Sequence, residues 1–392
     1  MNDPVVIASV ARTPIGGLLG DFAALTAPEL GAIAIKAAVE RAGIAAAAVE
    51  DVLMGQVLMA GQGQAPARQA LRKAGLPDAT GAVTLNKMCG SGMRSVMFAN
   101  DMLLAGSASV IVAGGMESMT NAPHLAFVRK GIKYGAAQFY DHMAMDGLED
   151  AYERGKSMGL FAEMCVDKYA FSRQAQDAFA IASTERAIKA NTDGSFEWEI
   201  TPVKVAGKGG EVAITRDEQP FKAKLDKIPT LKPAFKKDGS VTAATSSSIS
   251  DGAAAMVLMR ESAALKQGLK PVARIVGHTT HSQAPEWFTT APVGAISKLL
   301  AKTGWNVGNV DLWEINEAFA VVAMAAMHDH KLPHEKVNVN GGACALGHPI
   351  GCSGTRIMAT LLGALRKRGL KRGIASLCIG GGEATAMALE LC

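Results

Sequence analysis

The sequence predicts an α/β protein built from two similar layered halves with an inserted loop domain, and three observations carry that prediction. Strand-like and helix-like runs alternate in the first third and again in the last. Each of those thirds holds a Gly-rich turn followed by a helix pattern and a short apolar strand. The stretch between them, residues 120–248, differs in kind and carries every tyrosine and many charges.

The elements follow in order. Val5 to Val10 is a continuous apolar run, the pattern of a buried strand. Thr26 with Glu29 three residues later is a capping box, and Leu30, Ile33, Ala34, Ala37 and Ala38 then share one helical face until Gly43 ends it. A strand-like run at Ala82 to Leu85 leads to a helix expected over Gly92 to Leu104 and a strand over Ser109 to Ala113. The last third repeats this grammar: VARIVGHTT from Val272, a Gly-rich turn from Gly341 to Gly354, a helix to about Leu365, and the strand IASLCIGGG. The repetition extends to letters. GSG at Gly90 to Gly92 precedes VAGG at Val112 to Gly115, and GCSG at Gly351 to Gly354 precedes CIGGG at Cys378 to Gly382. Chance likeness of Gly-rich turns is the competing account, and one GSG match alone would not defeat it.

Bulk properties narrow the function classes. At 392 residues, 49% hydrophobic and 19% charged, the chain is large enough for two cores and is not a disordered one. A formal net charge of +4 and the lack of a Lys/Arg arm argue against a nucleic-acid reader. Small anions fit better. From Val203 to Lys237 nine Lys/Arg stand against four Asp/Glu, enough to dock an anionic ligand, although a solvated loop explains such a run as well. Six cysteines without CxxC spacing suggest reduced thiols in a cytoplasmic protein. MNDPVVIASVARTP lacks the basic and apolar regions of a secretory leader, and no run of 18 apolar residues suggests a membrane span.

Three residues stand out as chemistry. Cys89, in NKMCGSGMRS, is expected where a strand gives way to a helix, and a helix N-terminus favours thiolate. His348, in CALGHPIGCSG, lies in a small-residue turn and is suited to take a thiol proton. Cys378 precedes Gly380, Gly381 and Gly382, whose backbone N–H groups could cradle an oxyanion. Taken singly, each cysteine is more often an inert buried thiol. The other histidines (His124, His142, His278, His281, His328, His330, His334) form no metal-binding spacing, so no metal is expected.

Together these residues resemble the thiolase family. NKMCGSG is similar to its nucleophile motif, NEAFA at Asn316 to Ala320 to its Asn motif, GHPIGCSG to its His motif and CIGGG to its second-cysteine motif. ARTPIG, GGMESM and DGAAAMVL extend the resemblance over essentially the whole chain. It implies duplicated α/β halves over residues 1–119 with 249–270 and over 271–392, with 120–248 covering coenzyme A. It implies an acyltransferase that interconverts two acetyl-CoA with acetoacetyl-CoA and CoA, needs no cofactor, and assembles as a homotetramer. Cys89 would carry the acyl group, His348 act as base and Cys378 as second acid/base. Asn316 would place a water, and the N–H groups of Cys89 and Gly380 would hold the oxyanion. Ser247 would meet pantetheine, while Leu148, Met158, Ala318, Phe319 and Ile350 would surround a short acyl group.

The chain also departs from the family. Ser157-Met158-Gly159 stands for His-Met-Gly, Phe221 stands where Arg is common, and Phe288-Thr-Thr-Ala replaces a Met-Gly segment of the acyl pocket. Phe221 could stack on adenine with Lys222 or Lys224 at phosphate, and Phe288 with Met158 could cap the acyl end. AMDGLEDAY before Met158 resembles the acetoacetyl-CoA group. A longer-chain 3-ketoacyl-CoA thiolase and a silent lipid carrier of the same fold are the alternatives. A ketosynthase is disfavoured by Cys378.

Overall fold

Ten strands share one sheet in the computed structural model, which describes residues 3–207 and 209–392. In chain order they are β1 (Val5–Arg12), β2 (Gly16–Gly17), β3 (Asp51–Gly55), β4 (Gly81–Leu85) and β5 (Val110–Ser118). After the long intervening stretch come β6 (Ser250–Arg260), β7 (Ala273–Ser282), β8 (Leu312–Ile315), β9 (Arg372–Ile379) and β10 (Glu383–Leu391). Across the sheet the order is β8-β9-β10-β7-β1-β6-β5-β3-β4, with β2 paired to β6.

That order contains a repeat. On one side β1 pairs antiparallel with β6, β6 antiparallel with β5, and β5 parallel with β3. On the other, β7 pairs antiparallel with β10, β10 antiparallel with β9, and β9 parallel with β8. A lone parallel bridge from Trp313 to Val337 stands in the place of β4. The two sides join through a short antiparallel contact, Val6 with Arg274 and Ile7 with Ala273.

β1 runs two residues past the apolar stretch that signals it, because Arg12 is neutralised rather than exposed. Its guanidinium is fully buried against Glu199 at 2.6 Å and Asp217 at 2.7 Å, which keeps it charged. Both carboxylates come from the stretch between β5 and β6, so Arg12 fastens that stretch to the sheet. Glu199 O also accepts from the Arg12 N–H at 2.8 Å. β6 is the strand that alternation misses: SDGAAAMVLMR is buried on both faces, so neither period nor β-branching marks it.

The helices Ser91–Ala105 and Ser353–Arg368 cross inside the molecule. The second is buried at every position from Ser353 to Leu365, its polar side chains Ser353, Thr355, Arg356 and Thr360 included. Ser91, Gly92 and Arg94 on one match Ser353, Gly354 and Arg356 on the other in spacing. The crossing depends on glycine. A methyl on Gly354 would lie 2.3 Å from Met93 N, and one on Gly92 would lie 2.8 Å from Thr355 Oγ1. Between β5 and β6 the chain forms the helices Met158–Tyr169 and Arg173–Thr192 and two short hairpins.

Because backbone cannot move aside as a side-chain tip can, Gly354→Ala is expected to cost about 3 kcal/mol or more of unfolding free energy. Urea denaturation of the variant checks this, and an unchanged midpoint would remove the crossing from the account of stability.

Candidate active site

Cys89 sits on a sharp turn between β4 and the Ser91–Ala105 helix. Met88 takes a left-handed backbone with φ 47°, and the turn is closed by Gly90 N donating to Lys87 O at 3.0 Å. Ser91 Oγ donates to Met88 O at 2.7 Å and accepts from Lys87 N at 2.8 Å, so one hydroxyl holds both ends. The expectation of a preformed thiolate needs correction. Cys89 precedes the N-cap Gly90, and burial, the largest influence, pushes its thiol up to about 11. The Gly380 N–H, donating to the sulfur, and the Cys89 N–H oppose that shift without reversing it.

Cys378 lies near the end of β9, fully buried and close enough to Cys89 for that sulfur to resist its ionisation. Burial is the larger cause, and the thiol stands well above its ordinary range. Gly381 and Gly382 (φ 93° and 86°) then turn the chain into β10. This brings the Gly380 N–H to Cys89 rather than to Cys378.

His348 is buried, and its ring is held by Ser353 Oγ at 2.6 Å from Nδ1. With its proton given to Pro349 O at 3.1 Å, Ser353 Oγ accepts from Nδ1–H. Nε2 is therefore the basic nitrogen, and it is buried without a partner. Burial first and Arg356 second lower the ring to about 3, so it is neutral. Asn316 offers the complementary orphan. Its Oδ1 faces Arg356 Nη2 at 3.5 Å, which leaves Nδ2 buried and unpaired. Arg356 is itself tied to Glu314 at 3.1 Å. One acceptor and one donor are thus left unpaired in the interior.

Two loops draw these turns together. Ser247 N donates to Ala318 O at 3.0 Å and His348 N to Ser248 O at 3.1 Å, so the segment entering β6 spans the Asn316 and His348 turns. Glu117, at the end of β5, accepts from Val57, Leu58 and Gly351 N–H groups at 2.9–3.1 Å. Burial still raises it to about 7. The apolar candidates divide into two groups: Leu148 and Ile350 pack with Cys89, whereas Met158, Phe288, Ala318 and Phe319 pack with Cys378.

Phe221 and Lys222 are placed elsewhere. Arg216 covers the Phe221 ring at 4.2 Å and Lys222 is paired with Glu218, so the expected free aromatic face and free cation are both engaged. Arg216 is the cation that sequence reasoning passed over. It also passed over Ser353, Arg356 and Glu117; the signal available was a charged or hydroxyl residue within a mainly apolar run of a helix or strand. A cavity of about 260 Å³ lined by Arg186, Lys189, Lys367 and Arg368 holds none of the site residues. Its cations are already bonded to Val337 O, Asp193 and Asn340.

The half-buried Cys89, with the Gly380 N–H on its sulfur, and the buried Cys378 thiol beside it form the candidate site, and the chain belongs to the thiolase family. The family's N-terminal domain matches residues 5–262 and its C-terminal domain residues 269–391. Acetyl-CoA acetyltransferase 2 of Arabidopsis thaliana is 49% identical over 391 residues, covering 99% of this chain and 97% of its own. The acetyl-CoA acetyltransferase of Shinella zoogloeoides is 47% identical over 391 residues, all of both chains. Among solved structures, a thiolase from Ascaris suum in complex with coenzyme A superposes with TM-score 0.94 at 40% identity, covering 99% of this chain and 100% of that one. The Bacillus anthracis acetyl-CoA acetyltransferase gives 0.96 at 39%, covering 100% and 99%.

A neutral buried His348 predicts a pH dependence. Between about 3, its folded value, and 6.5, its unfolded one, the unfolded chain binds the extra proton, so this residue makes stability fall as pH falls. Glu117 and Glu314, raised to about 7 and about 8, act in the opposite direction over their own windows. The readout is therefore the difference between wild type and His348→Asn, whose denaturation midpoints should converge between pH 7.5 and pH 5. Parallel curves would mean that His348 is not buried neutral.

Proposed function

We propose that the chain is an acetyl-CoA C-acetyltransferase that condenses two acetyl-CoA to acetoacetyl-CoA and CoA, reversibly, through acetyl-Cys89. The observation that carries this reading is the meeting of Cys89 with the Gly380 N–H and the Cys378 thiol. The names of relatives at 47–49% identity over nearly the full length favour it over a longer-chain thiolase.

The residues then act in two stages. His348 Nε2 takes the Cys89 proton as sulfur attacks the acetyl thioester, because a thiol raised to about 11 does not ionise unaided. N–H groups of Cys89 and Gly380 hold the oxyanion, and Cys378 gives its proton to the departing CoA sulfur. The Cys378 thiolate left in a buried site is a strong base. It removes an α-proton from the second acetyl-CoA, whose enolate oxygen meets protonated His348 and a water on Asn316 Nδ2. The carbanion attacks acetyl-Cys89, and the released Cys89 sulfur recovers its proton from His348. A silent carrier would have no use for this set of unpaired polar atoms. Ser247 is assigned to pantetheine and the Phe221–Arg216 turn to the nucleotide end, with Arg216 supplying the cation.

Mass spectrometry after incubation with acetyl-CoA separates the stages. Cys89→Ser is expected to show no acetyl adduct, since its hydroxyl has a far higher pKa. Cys378→Ala should acetylate yet lose acetoacetyl-CoA synthesis by about a hundredfold or more. Equal labelling of wild type and Cys89→Ser would sink the nucleophile, and normal synthesis by Cys378→Ala would move the base.

The acyl end is closed by Phe288, 3% exposed, whose ring stands edge-on to Phe161 and Phe319, each at 6.3 Å. Met158 packs in the same cluster. An added methylene that overlaps such a wall costs about 1–3 kcal/mol, so Phe288→Ala should raise six-carbon relative to four-carbon thiolysis about tenfold. Wild type cleaving an eight-carbon 3-ketoacyl-CoA as well as acetoacetyl-CoA would defeat the short-chain reading.

A further inference from the structure

The Cys89 turn and the glycine hairpin at Gly380–Gly382 meet without a covalent link, and the hairpin has no side chains of its own to fix it. Ile379 Cδ1 lies only 2.4 Å from where a methyl on Gly90 would stand, so the two turns are in contact. Behind that contact Lys87, two residues before Cys89, pairs with Glu383, three residues after Gly380. The second Glu383 oxygen accepts from Ser282 Oγ at 3.0 Å, which anchors the carboxylate to β7. Gly382 O accepts from Gln283 N at 2.8 Å on the same side.

We propose that the Lys87–Glu383 ion pair is a positioning clamp, which holds the glycine hairpin on the Cys89 turn and keeps the Gly380 N–H on the reacting sulfur and oxyanion. Neither residue touches the reacting atoms, so both are positioning residues. The inference rests on the function proposed above. Glu117, not Lys87, is the side-chain charge that bears on the Cys89 thiol, so the clamp works through placement rather than through its own field. The pair is 29% and 30% exposed, a setting in which ion pairs add little to global stability. Its loss should therefore appear in chemistry before it appears in folding.

Lys87→Gln and Glu383→Gln are each expected to lower acetoacetyl-CoA thiolysis kcat about two- to fivefold, with KM for both substrates held within about twofold. The pH midpoint for alkylation of Cys89 by iodoacetamide should rise by about half a unit, and the urea midpoint should hold. Exchanging the charges, Lys87→Glu with Glu383→Lys, should restore kcat and the alkylation profile. Wild-type behaviour of both single variants overturns the clamp, as does an exchanged variant no better than the singles. A CoA KM raised only in Lys87→Gln overturns it by making Lys87 a substrate contact, and a lowered urea midpoint with normal kcat overturns it by making the pair merely structural. Alkylation needs no turnover, so failure of wild type on acetoacetyl-CoA would defeat the proposed function while the alkylation profiles still decided the clamp.

Discussion

The close approach of backbone at the crossing of two helix N-termini is the constraint on which the rest of the structure depends. Gly92 and Gly354 form its centre, and the same tightness recurs around it: a methyl on Gly55 would lie 2.5 Å from Ser91 C, and one on Gly115 would lie 2.0 Å from Gly351 O. Wherever a side chain is forbidden, two turns can touch. The Cys89 turn enters one helix at this point and the His348 turn leads into the other, so the repeat in the sheet order delivers different chemistry to one place.

Burial at that place determines the form in which protons are held. Desolvation raises Cys89 and Cys378 and lowers His348, so thiol and imidazole are both neutral. Charge then arises only as protons pass between neighbours during a reaction, where preset dipoles stabilise it most. One layer back, the buried Glu314 carboxyl accepts from Arg356, whose guanidinium in turn orients Asn316.

Much of this was legible in the letters, and the illegible part has physical reasons. The Thr26 and Glu29 signal is realised, with the Thr26 N–H donating to Glu29 at 2.9 Å, and the helix ends at Gly43 with φ 70°. Such local devices are written in adjacent residues. β6 was hidden because an alanine-rich strand covered on both faces has no period. The tautomer of His348 was hidden too, since it depends on how a serine five residues on is oriented by Pro349 O. The helix dipole suggested a thiolate at Cys89, but sequence says nothing of how deeply the sulfur is buried, and burial dominated.

Arg12 has a consequence of another kind. Its two buried carboxylate partners come from a stretch about two hundred residues downstream, and removing either would strand a cation in the sheet interior. The central strand and that stretch must consequently open together, as a single foldon, rather than as a lid that frays from a stable platform. Slow-exchanging amides in native-state hydrogen exchange should then map to both regions with one opening free energy, which makes the inserted segment a structural member of the sheet despite its distance along the chain.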